Sequence, residues 1–159
     1  MIFVELNEAE LIERELTVRD LRVSKEVLET RRSAARWLAL TLGIINPGES
    51  RLSAVAVLDA VIYFQFIKKQ DPTVKDLVEY ITTSWEPINE KTLRYHLLRM
   101  KKMGFIDNEQ SKFYFRPPGF GDRFDPYVWS TSMFDLFYKN ISKKLGDVIN
   151  DLKEKEKIM

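Results

Sequence analysis

The sequence predicts a mainly α-helical chain carrying one small β-hairpin, and three observations lead there. Apolar residues recur at spacings of three and four along most of its 159 residues. Polar residues able to cap a helix stand at the start of several of those stretches. Two short, alternating, aromatic-rich segments follow Gly104, where helical periodicity stops.

Taken in order, an apolar stretch at 2–4 is followed by Asn7 and Glu10, the spacing of a helix cap and its reciprocal carboxylate, so a short helix is expected over 8–16. Ser24 is a second cap, with Val27, Ala34, Leu38 and Leu42 at helical spacing up to Gly43 and the Asn-Pro-Gly turn at 46–48. The stretch 51–69 is apolar nearly all round, and such a helix must be covered on several sides, so it is the expected centre of the fold. Thr73 and Asp76 have capping-box spacing, and Val74, Leu77, Val78 and Ile81 continue as a helix over 74–82. Asn89 caps a helix over 90–103 that Gly104 ends. Segments 105–109 and 112–116 form the hairpin; Gln110 and Ser111 are not the Asn-Gly type favoured in two-residue turns, so a slightly longer loop is expected. A Pro- and Gly-rich segment, 116–126, precedes a last helix over 131–156. The expected organisation is an N-terminal helical extension (1–50), a central domain (51–118), and an irregular aromatic segment with a packing or dimerisation helix (119–159).

Composition narrows the function classes. The absence of cysteine excludes disulfides and thiolate metal sites and, with no secretory-type N-terminus, suggests a cytoplasmic protein. The longest apolar run, 52–67, is interrupted by Asp59 and Gln65 and is shorter than the roughly 20 residues of a membrane span, so no membrane partner is expected. Net charge is only +1, yet residues 1–50 hold nine acids and seven bases whereas residues 89–116 hold three acids and seven bases. Positive charge is therefore local, and local charge steers a polyanion.

In the stretch 90–103, Leu93, Leu97 and Met100 share one face, flanked by His96 and Met103. Lys91, Tyr95, Leu98 and Lys102 lie opposite, with Arg94 and Arg99 at the edges. Two helices, this basic helix and a hairpin follow one another over 52–116. That order, and above all INEKTLRYHLLRMKKMGFI, resembles the winged-helix branch of the helix-turn-helix family found in many bacterial and archaeal transcriptional regulators. The resemblance implies that the third helix enters the major groove of double-stranded DNA, with Lys91, Thr92, Arg94 and Tyr95 reading bases. Arg99 and Lys102 would meet phosphates, as would Asn89 through the helix amides that it caps. Lys112, the base nearest the hairpin tip, would contact phosphate at most. The segment 83–88 is longer than the usual turn of this family.

His96, the single histidine, lacks the converging ligands of a metal site and is assigned no chemistry; PPGFGD lacks the lysine of a phosphate loop; and Asp122, Arg123 and Asp125 belong to a Gly/Pro/Asp turn. No cofactor and no enzymatic activity are expected. The aromatics of 120–129 are expected to cover the core. Tyr138, Ile141, Leu145, Val148 and Leu152 alternate at three and four, the seam of a coiled coil widened by Phe137 and Ile149, and suggest a homodimer. The expected function is sequence-specific DNA binding and transcriptional regulation by such a dimer. The alternative is an interaction module in a larger assembly, contacting a protein through Tyr95, Leu98 and Trp85. A ligand sensor with its pocket near the aromatic C-terminal segment, and an RNA binder, rank lower.

Overall fold

The computed structural model describes residues 6–155, so the apolar stretch at 2–4 and position 156 of the last expected helix lie outside the described residues. The chain forms two compact units, one ending at Phe115 and one starting at Arg116. It is mainly helical, with a two-stranded antiparallel sheet.

The first unit is built around α2 (Ser53–Ile62), in which every residue from Ala54 to Val61 is buried. Ala, Val and Leu at nearly every position leave this helix no face that tolerates water, and it packs against α1 (Arg31–Thr41), α3 (Val74–Ser84), α4 (Glu90–Lys102) and β2 (Lys112–Phe115). Its C-terminal end widens into a π-helical turn, Tyr63–Lys68, and stops at Lys69 in the left-handed region at φ 55°. The expected capping box at Thr73 is present: its hydroxyl accepts from the Asp76 amide and Asp76 accepts from the Thr73 amide. Leu77 and Ile81 of α3 meet Leu93, Leu97 and Met100 of α4 in the core, and full burial of each such side chain contributes about 1.5–3 kcal/mol.

Strand β1 (Ile106–Glu109) pairs with β2 in the register Ile106 to Phe115 and Glu109 to Lys112, which turns Ile106 and Phe115 into the core. The turn is shorter than expected. Gln110 and Ser111 complete it alone, both left-handed at φ 51° and 65°, as a type I′ turn requires. The segment before α3 joins this hairpin through a bridge between Thr73 and Lys112 and a bond from the Phe113 amide to the Pro72 carbonyl.

The N-terminal region departs most from expectation. Of the expected helix over 8–16 only Glu8–Leu11 is helical, as a single 3-10 turn, and from Ile12 to Ser24 the chain forms neither helix nor strand. The helix expected from Ser24 begins instead at Arg31, where Thr30 and Ser33 form the capping box; Ser24 accepts from the Val27 amide in a preceding turn. The segment 12–24 is anchored by side chains that reach helix C-termini. Arg19 donates to the Leu40 and Ile45 carbonyls and to Asn46, closing the end of α1, and Arg14 donates through Nε to the Met103 carbonyl at the end of α4. Gly43 and Gly104, both left-handed, leave room for this strap. A Cβ at Gly43 would collide with the Thr17 carbonyl, and one at Gly104 would lie 2.5 Å from the Arg14 guanidinium.

In the second unit, Asp125 caps α5 (Pro126–Met133) and Pro126 occupies its first turn. The single helix expected from 131 is therefore two, since α5 ends at Phe134 and α6 (Asp135–Lys155) follows directly. Phe120 and Tyr127 are 76% and 82% exposed, which corrects the expectation that the aromatics of 120–129 are core; Phe124 and Trp129 are half-buried. Among the described residues no helix is long and apolar enough to cross a membrane.

Candidate nucleic-acid interface

Helix α4 has a sharply two-sided character. Leu93, Leu97 and Met100 are at most 1% exposed and His96 is buried beside them, whereas Lys91, Arg94, Tyr95, Leu98 and Lys102 are exposed. The packed face fixes the helix, so the opposite face is carried on a rigid support. Glu90 in the first turn and Arg99, Lys101 and Lys102 in the last complement the helix dipole.

Each candidate residue has a definite place. Asn89 Oδ1 accepts from the Thr92 amide at 2.8 Å, so both Asn89 and the half-buried Thr92 are engaged in capping. Arg94 forms an exposed ion pair with Glu90 one turn earlier, 2.9 Å apart. Pairs of this kind contribute little in water, which leaves the guanidinium exchangeable with a stronger anion. Lys91 and Lys102 are exposed and form no ion pair among the described residues. Tyr95 is exposed with its ring edge-to-face against His96 at 5.2 Å. Lys112 is exposed on the first residue of β2, next to the turn.

Arg99 is different. It is half-buried and donates to the Ile44 carbonyl at 2.6 Å, tying α4 to the loop that follows α1. That bond gives Arg99 a structural partner besides the phosphate contact expected from the sequence. Its guanidinium, like those of Arg14 and Arg19, satisfies a backbone carbonyl distant in sequence.

Two residues missed by sequence reasoning join the same surface. A shallow trough runs between α4 and the hairpin, made of two adjoining concavities of about 240 and 280 Å³ that share Arg94, Asn108 and Phe113 as walls. Lys101 lines one part, where it donates to Asn108 at 2.8 Å and sits 3.7 Å from Asp107, and Lys75 from the first turn of α3 lines the other. The Thr73–Asp76 box fixes where α3 begins, so that signal also placed Lys75 near the trough.

Two polar clusters lie apart from this face. His96 Nε2 is 2.9 Å from Ser53 Oγ, while its Nδ1 is buried without a partner. Burial first, then the positive charges of Arg99 and Arg51, lowers its pKa and keeps the ring neutral near pH 7. No carboxylate orients the ring as a nucleophile–base pair needs. Asp59, 3% exposed at the centre of α2, accepts from Arg31 at 2.8 Å, Tyr80 at 2.8 Å and the Trp85 indole at 2.9 Å. Arg32 lies 4.6 Å over the Trp85 ring. Trp85 is thus committed to the junction of α1, α2 and α3, a correction to its expected place on an outward contact surface. Among the described residues, no group of three or more His, Asp or Glu is arranged to hold a metal ion.

No protein-family model, curated protein or solved structure matches the chain.

Proposed function

We propose that this chain binds double-stranded DNA as a winged-helix regulator, with α4 in the major groove. The observation that carries the reading is the division of α4 into a packed face and an outward face bearing Lys91, Arg94, Tyr95 and Lys102. Three further features support it. The hairpin directly follows α4 and is joined by the segment ahead of α3, the connectivity expected of a wing. Lys75 and Lys101 line the trough beside α4, and Lys112 stands exposed next to the hairpin turn. An α-helix also fits a major groove of about 12 Å, and Arg or Lys there recognises guanine edges as well as phosphates. Regulation follows from occupancy: two copies on adjacent half-sites present two such helices and block or recruit other factors.

A second reading, contact with a protein partner, rests on Leu98. It is 52% exposed beside Tyr95 and lines the trough with Phe113, giving the basic face an apolar centre.

Fluorescence anisotropy of a labelled mixed-sequence duplex at low salt separates the two. DNA binding predicts saturable binding that falls at least tenfold in a Lys91→Ala, Arg94→Ala double variant, whereas Leu98→Ala leaves it within about threefold. Absence of duplex binding in the wild-type chain would remove the DNA reading.

A further inference from the structure

We propose that α6 pairs with α6 of a second copy of this chain in antiparallel orientation, about a two-fold axis beside Gly146. This deepens the reading above, since it rests on the chain acting as a pair. α6 is 21 residues long and buries none of them, although Ile141, Leu145, Val148, Ile149 and Leu152 lie along one side, 39–61% exposed. A helix of this length draws most of its stability from packing an apolar stripe, so the stripe calls for a cover.

The nature of that cover follows from charge. α6 carries five lysines and four acids, a near balance that suits another mixed-charge helix better than an anionic lipid surface, which favours a predominantly basic polar face. The seam residues Tyr138, Ile141, Leu145, Val148 and Leu152 alternate at three and four, as pairing with a second helix requires.

Orientation follows from the residues flanking the seam. In a parallel pair, Lys144 would lie beside the partner's Ile149, an apolar side chain. In an antiparallel pair Leu145 packs on the partner's Val148 and Ile141 on the partner's Leu152. Lys144 then lies beside the partner's Asp151, and symmetry repeats each contact. Asp151 pairs with Lys155 within its own helix, an exposed pair too weak to prevent that exchange.

The chain contains no cysteine, so introduced thiols report the arrangement directly. Ile141→Cys chains mixed with Leu152→Cys chains and oxidised are expected to give a disulfide-linked mixed dimer. Ile141→Cys alone should give none, because its two copies lie about 16 Å apart along the helix axis. Lys144→Asp should weaken pairing by roughly fivefold in analytical ultracentrifugation, and Asp151→Lys in the same chain should restore it. Cross-linking of Ile141→Cys to itself without the mixed species, or a wild-type chain monomeric at every concentration tested, would overturn the proposal. These readouts need no nucleic acid. A chain that cross-links as expected yet binds no duplex supports the pairing and removes only the DNA reading.

Discussion

Helices α2 and α6 are both rich in aliphatic residues, yet α2 buries all of Ala54–Val61 and α6 buries nothing. Apolar content differs, at eight of ten residues in α2 and eight of twenty-one in α6, and so does the use made of the polar positions. The polar residues of the two helices also find their partners in different places. α2 has two, and both reach other elements: Ser53 meets His96 of α4, and the Asp59 carboxylate receives donors from Arg31, Tyr80 and Trp85, so α1, α3 and α4 are drawn onto it from outside. α6 instead interleaves its aliphatics with lysines and acids that pair one turn apart, Lys139 with Asp135 and Lys143 with Asp147. Such a helix satisfies its own charges and keeps one stripe for an external surface. A helix can therefore hold a fold together or offer it to a partner according to whether its polar residues reach other elements or one another.

Substitutions test this contrast most strongly in α2. Leu58→Ala removes a fully buried side chain and is expected to destabilise the chain by about 2–5 kcal/mol in urea unfolding. Asp59→Ala leaves the Tyr80 hydroxyl and Trp85 indole short of an acceptor and should cost about 1–3 kcal/mol. Arg99→Ala should cost about 0.5–1.5 kcal/mol by freeing the Ile44 carbonyl, with duplex affinity changed less than by Arg94→Ala. Leu145→Ala in α6 should shift unfolding by less than about 0.5 kcal/mol in dilute protein, where pairing is lost anyway, and by more at high concentration. A large effect of Leu145→Ala in dilute protein would erase the distinction between the two helices.

The Asp59 cluster also gives a pH signature. Burial, reinforced by the hydrogen bond to Asp59 and its negative charge, pushes the Tyr80 hydroxyl from 10.0 up to about 12. The folded chain thus holds this proton more tightly than the unfolded chain. The contribution is complete below pH 10 and declines as pH rises towards 12, so alkaline unfolding should be less steep in Tyr80→Phe, checked by circular dichroism across that range.

Local signals in the sequence were faithful through the central part of the chain, though not at Asn7 or Ser24. The Thr73–Asp76 box, the Asn89 cap and the inward set Leu93, Leu97 and Met100 all read directly from spacing. Long-range partners were not legible. Nothing near Arg14 or Arg19 indicates that they close helix ends whose carbonyls lie 89 and 21 residues away, so a stretch with plausible caps was expected to be helical and is instead an irregular strap. The bond from Arg99 to the Ile44 carbonyl was hidden for the same reason, because nothing in its helical position points to a partner 55 residues away. The turn at Gln110–Ser111 was hidden differently: two non-glycine residues adopt left-handed backbone there because β1 and β2 are held in register by Ile106 and Phe115 in the core. Of the candidate site, the outward face of α4 was readable from periodicity, whereas Lys75 and Lys101 enter only through the packing of α3 and the hairpin around the trough.

The most direct test of the central claim is the salt dependence of duplex binding. If Lys91, Arg94 and Lys102 meet phosphates or base edges, the affinity should fall linearly on a log-log plot against salt, with a slope of magnitude about 0.9 per phosphate neutralised. Replacing these three residues with alanine should reduce that slope by roughly one unit for each of them that neutralises a phosphate, Lys102 first. An unchanged slope in the triple variant, or wild-type binding indifferent to salt, would contradict the assignment of this helix to DNA.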